Sequence, residues 1–76
     1  MQERSDHPNL SLAEWHVLDR LARGVRPIQI AYAEGVGLGT VRMKILSIRL
    51  KYGLGTIREV MQFVQKNGVP PKPSDA

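Results

Sequence analysis

Cysteine is absent from the chain, which excludes both disulfide bonds and thiolate metal ligands. Histidine is scarce, since only His7 and His16 occur, and no spaced pair of carboxylates accompanies them. A hydrolytic triad or a zinc site therefore cannot be assembled from the residues present. The glycine-rich stretch 35–39 lacks the spacing of a dinucleotide fingerprint and the Lys of a P-loop. We expect no catalytic residue, no metal ligand and no cofactor, and hence a protein that binds rather than an enzyme.

Long apolar runs are absent as well. No stretch of the chain approaches the roughly 20 residues that a membrane span needs. The opening residues, Met-Gln-Glu-Arg-Ser-Asp, lack the apolar centre of a signal peptide. We therefore expect no membrane association and a cytoplasmic location, with which the lack of cysteine agrees.

What the chain does contain is the composition of one small globular domain. Its 76 residues are 42% hydrophobic and 24% charged, which is ordinary for a soluble folded protein. Eleven Lys and Arg against seven Asp and Glu leave a net charge of +4. This balance favours an anionic partner, such as nucleic acid or an acidic protein surface.

The ends of the chain differ in composition from its middle. Residues 1–9 are polar, and residues 69–76 are rich in proline. We expect both ends to be disordered tails and the folded domain to span residues 10–68.

The first two helices have clear start and stop signals. Ser11 and Glu14 form a capping box, and Leu10 and Trp15 occupy the positions of a hydrophobic staple. Gly24 then ends a first helix over about 11–23. Apolar residues that follow at helical spacing are Val17, Leu18, Leu21 and Ala22. A second, short helix begins near Pro27, ends before Gly35, and carries Ile28, Ile30 and Ala31.

Two further helices follow. The third runs from Leu38 or Thr40 to Tyr52 and ends at Gly53, and its apolar stripe is Val41, Ile45, Ile48 and Tyr52. The fourth opens with a second capping box, Thr56 with Glu59, and its apolar stripe is Ile57, Val60, Met61 and Val64. The tetrapeptide Gly-Leu-Gly-Thr occurs at 37–40 and again at 53–56. We interpret it as the same way of starting a helix, used twice.

The layout of the second and third helices is the most informative feature. A short helix, the turn Glu34-Gly35-Val36-Gly37 and a longer helix follow one another. A helix-turn-helix pair needs a tight turn of this kind, often with Gly, to hold its second helix for the major groove of DNA. The sequence therefore predicts an all-α, compact four-helix domain that contains a helix-turn-helix.

Over residues 10–68 the chain resembles the LuxR/GerE family of bacterial DNA-binding domains. The resemblance rests on spacing and on Leu10-Ser11, Glu14, Val17-Leu18, Gly24, Ile30-Ala31, Gly35-Val36, Thr40-Val41-Arg42, Ile48, Lys51, Gly53-Leu54 and Glu59. It implies a four-helix domain that binds promoter DNA through its third helix and dimerises through its fourth. The DNA-binding positions that it implies here are Thr40, Arg42, Met43, Lys44 and Leu46, and we add Arg49 as a further cation for phosphates.

Two functions follow from these residues. The first is a small bacterial transcription regulator that binds duplex DNA as a homodimer. The alternative is a protein-interaction module, such as an antiactivator that sequesters a LuxR-type regulator through Leu46 and Leu50 or through the fourth helix, with Phe63 as a contact. The apolar pair Leu46 and Leu50 and the acidic Glu34 favour the alternative. A shifted rotation of the third helix, which would make both leucines part of the core, also stays open.

Overall fold

The computed structural model of the chain describes residues 7–73, which form four helices without a strand. The helices are α1 (Leu12–Ala22), α2 (Pro27–Glu34), α3 (Leu38–Tyr52) and α4 (Ile57–Asn67). Helix α3 is central and packs against the other three. The predicted all-α, four-helix class is therefore confirmed, with helix bounds close to those expected from the capping residues.

The core receives side chains from every helix. Its largest fully buried members are Leu18, Ile30, Val41, Ile48 and Val60. Burying one such side chain contributes roughly 1.5–3 kcal/mol, so these few residues supply much of the cohesion of a small domain.

Two residues that were grouped with the apolar stripes lie outside the core. Ile28 is 55% exposed, because a residue two positions from the buried Ile30 faces the other side of the helix. Ala22, the last residue of α1, is exposed as well.

Both predicted capping boxes are present. The Ser11 hydroxyl accepts the Glu14 backbone N–H at 3.1 Å, and the Glu14 carboxylate accepts the Ser11 N–H at 2.8 Å. At α4, the Thr56 hydroxyl accepts the Glu59 N–H at 3.2 Å, and the Glu59 carboxylate accepts the Thr56 N–H at 3.1 Å. Each box satisfies backbone donors that the first turn of a helix leaves without partners.

The repeated Gly-Leu-Gly-Thr does not start its two helices in the same way. In the second copy, Thr56 is the N-cap and α4 begins after it. In the first copy, Gly37 is the N-cap, so that Thr40 already lies within the first turn of α3. The two copies differ because Gly53 adopts the left-handed conformation that ends α3, at φ +71°, whereas Gly37 is extended at φ −75°.

A buried carboxylate joins α1 to α3. Glu14 is only 7% exposed, and its second oxygen accepts a hydrogen bond from the Ser47 hydroxyl. The Lys51 ammonium lies 2.7 Å from the first oxygen. Burial opposes ionisation of Glu14, but the hydrogen bonds from Lys51, Ser47 and the Ser11 backbone, with the charge of Lys51, outweigh it and lower its pKa to about 2.

Parts of both terminal segments pack onto the helices. The Trp15 indole N–H donates to the Pro70 carbonyl at 2.7 Å, and Pro70 is buried. At the other end, His7 Nδ1 and the Tyr52 hydroxyl are hydrogen bonded at 3.0 Å. Disorder of the two ends stays a prediction: His7 and Pro70 contact the helices in the structure, and residues 1–6 and 74–76 lie outside the described residues. Composition could not reveal that a free proline carbonyl would meet a tryptophan N–H.

Removing either capping hydroxyl should destabilise the fold. We expect Ser11→Ala and Thr56→Ala each to lower the free energy of unfolding by about 1 kcal/mol, because each leaves a backbone N–H without its acceptor. Urea unfolding followed by circular dichroism measures this, with Gln62→Ala on the exposed side of α4 as the control. Unchanged stability at both capping sites would show that the boxes do not hold the helix starts.

Stability should fall in acid because of Glu14. The unfolded chain protonates this carboxylate near its ordinary pKa of 4.5, whereas the folded chain does so only near 2. The stabilisation, roughly 3 kcal/mol, is therefore complete above pH 5 and is lost as the pH falls from about 4.5 to about 2. When thermal unfolding is measured between pH 7 and pH 2, Glu14→Gln should reduce the dependence of stability on pH below about 4.5. Glu59→Gln, which alters the exposed capping box, should keep the slope. An equally steep curve for Glu14→Gln would contradict the assignment.

Candidate nucleic-acid interface

The connection between α2 and α3 is short and fixed by backbone hydrogen bonds. Gly35 ends α2 in the left-handed conformation at φ +71°. The Val36 N–H donates to the Ala31 carbonyl at 3.0 Å, and the Thr40 N–H donates to the Gly37 carbonyl at 3.1 Å. The loop is therefore anchored to both helices, and the first turn of α3 projects from it with Gly39 and Thr40 exposed.

The outward face of α3 is apolar along its middle. Met43 is 64% exposed, Leu46 38% and Leu50 62%. These three residues, spaced three and four positions apart, lie on one face of the helix, and together we call them the apolar strip. With Ser47 and Lys51 they line a shallow groove. The interpretation of Leu46 and Leu50 as core residues of a rotated helix is therefore wrong.

Two of the four cations of α3 have partners within the part of the chain that the structure describes, and two do not. Arg49 donates to the carbonyls of Leu54 at 3.3 Å and Gly55 at 3.1 Å, and Lys51 pairs with Glu14. Within residues 7–73, Arg42 and Lys44 have neither an ion pair nor a side-chain hydrogen bond; Arg42 is exposed and Lys44 half-buried. The predicted contacts Thr40, Arg42 and Lys44 thus lie within the first two turns of α3, with Arg42 on the other side of the helix from Thr40 and Lys44. Arg49 supports the loop to α4.

Every carboxylate in the described part of the chain has a partner inside the protein. Glu14 and Glu59 belong to the capping boxes described above. Asp19 pairs with Arg23 at 3.1 Å, and Glu34 pairs with Arg20 at 3.2 Å. These surface pairs contribute little stability, but they neutralise the acidic groups. The negative charge of Glu34, which favoured a protein partner in the sequence, is therefore matched by Arg20, and the unmatched charge of the described surface is positive.

Phe63 of α4 is engaged within the chain. Its ring packs edge-on against His7 and Tyr52, each with centroids 5.5 Å apart, and burial in this cluster raises the pKa of Tyr52. The exposed residues of α4 are all polar, namely Arg58, Glu59, Gln62, Gln65, Lys66 and Asn67. Dimerisation through α4 stays a prediction, and the outer face of that helix offers it no apolar patch.

One exposed apolar pair was missed in the sequence. Ile28 and Tyr32 of α2 are 55% and 90% exposed and lie one turn apart on the same side of the helix. Their spacing of four residues was visible in the sequence, where Ile28 was named only as an apolar residue of the second helix and Tyr32 was not named. They form a second apolar surface, separate in sequence from the apolar strip.

No three His, Asp or Glu side chains come together between residues 7 and 73 as a metal ion would require. None of the helices in that range combines the length and apolarity that crossing a membrane demands.

No family model matches the chain, and no curated protein or solved structure is significantly similar to it. The resemblance to the LuxR/GerE family therefore stays a prediction from the residues quoted above.

The division of the cations on α3 can be tested by stability alone. We expect Arg49→Ala to lower the free energy of unfolding by about 1 kcal/mol, because the loop carbonyls of Leu54 and Gly55 lose their donor. Arg42→Ala removes a side chain with no described partner and should change stability by less than about 0.5 kcal/mol. Urea unfolding of the two variants in parallel decides the matter. A larger loss for Arg42→Ala would refute the division.

Proposed function

We propose that the protein is a small bacterial transcription regulator that binds duplex DNA with α3 in the major groove. The observation that carries this proposal is the start of α3, where Thr40 and Arg42 are exposed and neither Arg42 nor Lys44 has an ion pair within the described residues. A helix-turn-helix contacts bases with the N-terminal residues of its second helix. The anchored loop 35–37 supports this use of α3, because it fixes the direction in which the helix leaves α2.

Each predicted DNA contact then has a role that its chemistry allows. Arg42 donates to a guanine edge, while Thr40 and Lys44 donate to phosphate oxygens. Met43 and Leu46 touch thymine methyl groups. Arg49 stays with the loop carbonyls and acts on DNA only indirectly, by holding the end of α3.

Charge supports an anionic ligand on a larger scale. The chain carries a net charge of +4, and every described carboxylate has an ion-pair or hydrogen-bond partner within the chain. Phosphate contacts release counterions, so the affinity of such a protein for duplex falls steeply as salt rises. A homodimer on two half-sites, as the resemblance implies, would add the contacts of a second α3.

Arg42 should dominate binding to DNA. In fluorescence-anisotropy titrations with a labelled duplex, we expect Arg42→Ala to weaken binding by roughly 1–3 kcal/mol if it reads a guanine edge. Arg58→Ala, which removes the same charge from α4, is the matched control and should have the smaller effect.

The same titrations repeated at several salt concentrations test the electrostatic part of the proposal. We expect the logarithm of the affinity to fall linearly with the logarithm of salt concentration. Salt-independent binding, or equal losses for Arg42→Ala and Arg58→Ala, would count against α3 as the DNA-binding element.

A further inference from the structure

The apolar strip of α3 extends beyond what contact with DNA requires. Thymine methyls are the apolar feature that the major groove offers to such side chains. Leu50 lies about 15 Å along the helix axis from Thr40, whereas a recognition helix reads bases mainly with its N-terminal residues. Yet Leu50 is 62% exposed, and this exposure calls for a further occupant.

We propose that the groove along the apolar strip binds an amphipathic helix of a partner protein, with acidic residues flanking its apolar face. The spacing of Met43, Leu46 and Leu50 matches the three-and-four pattern by which one helix receives another. Methionine adapts its shape to different apolar partners. The strip spans about 10 Å of α3, so a partner helix of two to three turns covers it.

The cations at the two edges of the strip favour a partner with negative charges beside its apolar face. Helical spacing places Arg42 along one edge and Lys51 along the other. Arg42 has no acidic partner in the described part of the chain, and the side chain of Lys51 is 40% exposed although it pairs with Glu14. Carboxylates beside the apolar face of the partner would meet both edges.

The same charges argue against other occupants. A second copy of this chain would bring Arg42 and Lys51 against like charges, which opposes self-association through the strip. Helices that lie on a membrane surface bury long apolar faces that often include Trp or Phe, whereas this strip has three side chains and no aromatic ring. An acidic helix is therefore the occupant that both the shape and the charge of the groove favour.

The test uses the full chain and two synthetic peptides that fold as amphipathic helices. Both have the same leucine face, but one carries Glu and the other Lys on its flanks. Amide chemical-shift titration should show binding of the Glu peptide, with the shifts concentrated between residues 42 and 51. The Lys peptide should bind at least about fivefold more weakly, because its charges oppose Arg42 and Lys51.

The double variant Leu46→Lys/Leu50→Lys should reduce affinity for the Glu peptide at least about tenfold, since the anchors of the apolar face are lost. Ile28→Lys/Tyr32→Lys on α2 is the matched control, because it replaces two exposed apolar residues elsewhere, and it should bind like the unaltered chain. If circular dichroism shows that the first variant is unfolded, Leu50→Gln serves instead, and a loss of at least about threefold is expected.

Several results would overturn the proposal. Equal binding of the two peptides, or chemical shifts centred on Ile28 and Tyr32, would contradict it. So would an unchanged affinity for the Glu peptide in the folded Leu46→Lys/Leu50→Lys variant. Binding to phosphatidylserine vesicles but not to the Glu peptide would indicate a membrane, and self-association abolished by the same variant would indicate a second copy of the chain.

The single variant Leu50→Lys separates this inference from DNA binding, on which it does not rest. Leu50 contacts no base in the DNA proposal, so a lysine there should preserve or increase non-specific affinity for duplex, while it reduces affinity for the peptide at least about threefold. If Arg42→Ala loses duplex binding and the unaltered chain does not bind the Glu peptide, the DNA proposal is supported and the partner-helix proposal is refuted. If the unaltered chain binds the Glu peptide but not duplex, the partner-helix proposal is supported and the DNA proposal is refuted.

Discussion

One buried carboxylate, that of Glu14, determines how the helices of this protein are arranged. It closes the capping box at the start of α1 and also accepts hydrogen bonds from Ser47 and Lys51 on α3. Because Ser47 and Lys51 are one turn apart, the two bonds fix the rotation of α3 about its own axis. A buried carboxylate without these donors would be strongly unfavourable, so the cap of one helix and the orientation of another depend on the same group.

The rotation of α3 decides which of its side chains are exposed to solvent. With Val41 and Ile48 turned inward, Arg42 and the apolar strip must face outward, since the two sets lie on different sides of the helix. The end of α3 is held by a different cation, Arg49, which spans the loop to α4. Arg49 and Lys51 of α3 thus contact other parts of the fold, whereas Arg42 and Lys44 have no ion pair within residues 7–73.

The terminal segments complete a domain whose core is small for its surface. Residues 69–73 lie beside Trp15. The Trp15 N–H donates to the Pro70 carbonyl, and the Lys72 ammonium lies 5.8 Å from the centroid of the Trp15 ring. His7 similarly covers Tyr52 and Phe63 of the domain. The four short helices leave part of their aromatic surface uncovered, and these contacts shield that surface from water.

The sequence by itself determined the helices, because their ends are set by local chemistry: Ser11 with Glu14, Thr56 with Glu59, and the glycines at positions 35 and 53. It also indicated most of the core through helical spacing. Only the tertiary structure decided that Arg49 is a structural residue, that Phe63 is covered, and that Leu46 and Leu50 face solvent. Those outcomes depend on contacts that helical spacing does not show: Arg49 with the carbonyls after α3, Phe63 with His7, and Glu14 with Ser47. Helical periodicity identifies which residues share a face, but the side of the helix that turns inward is chosen by the partners it meets in the folded chain.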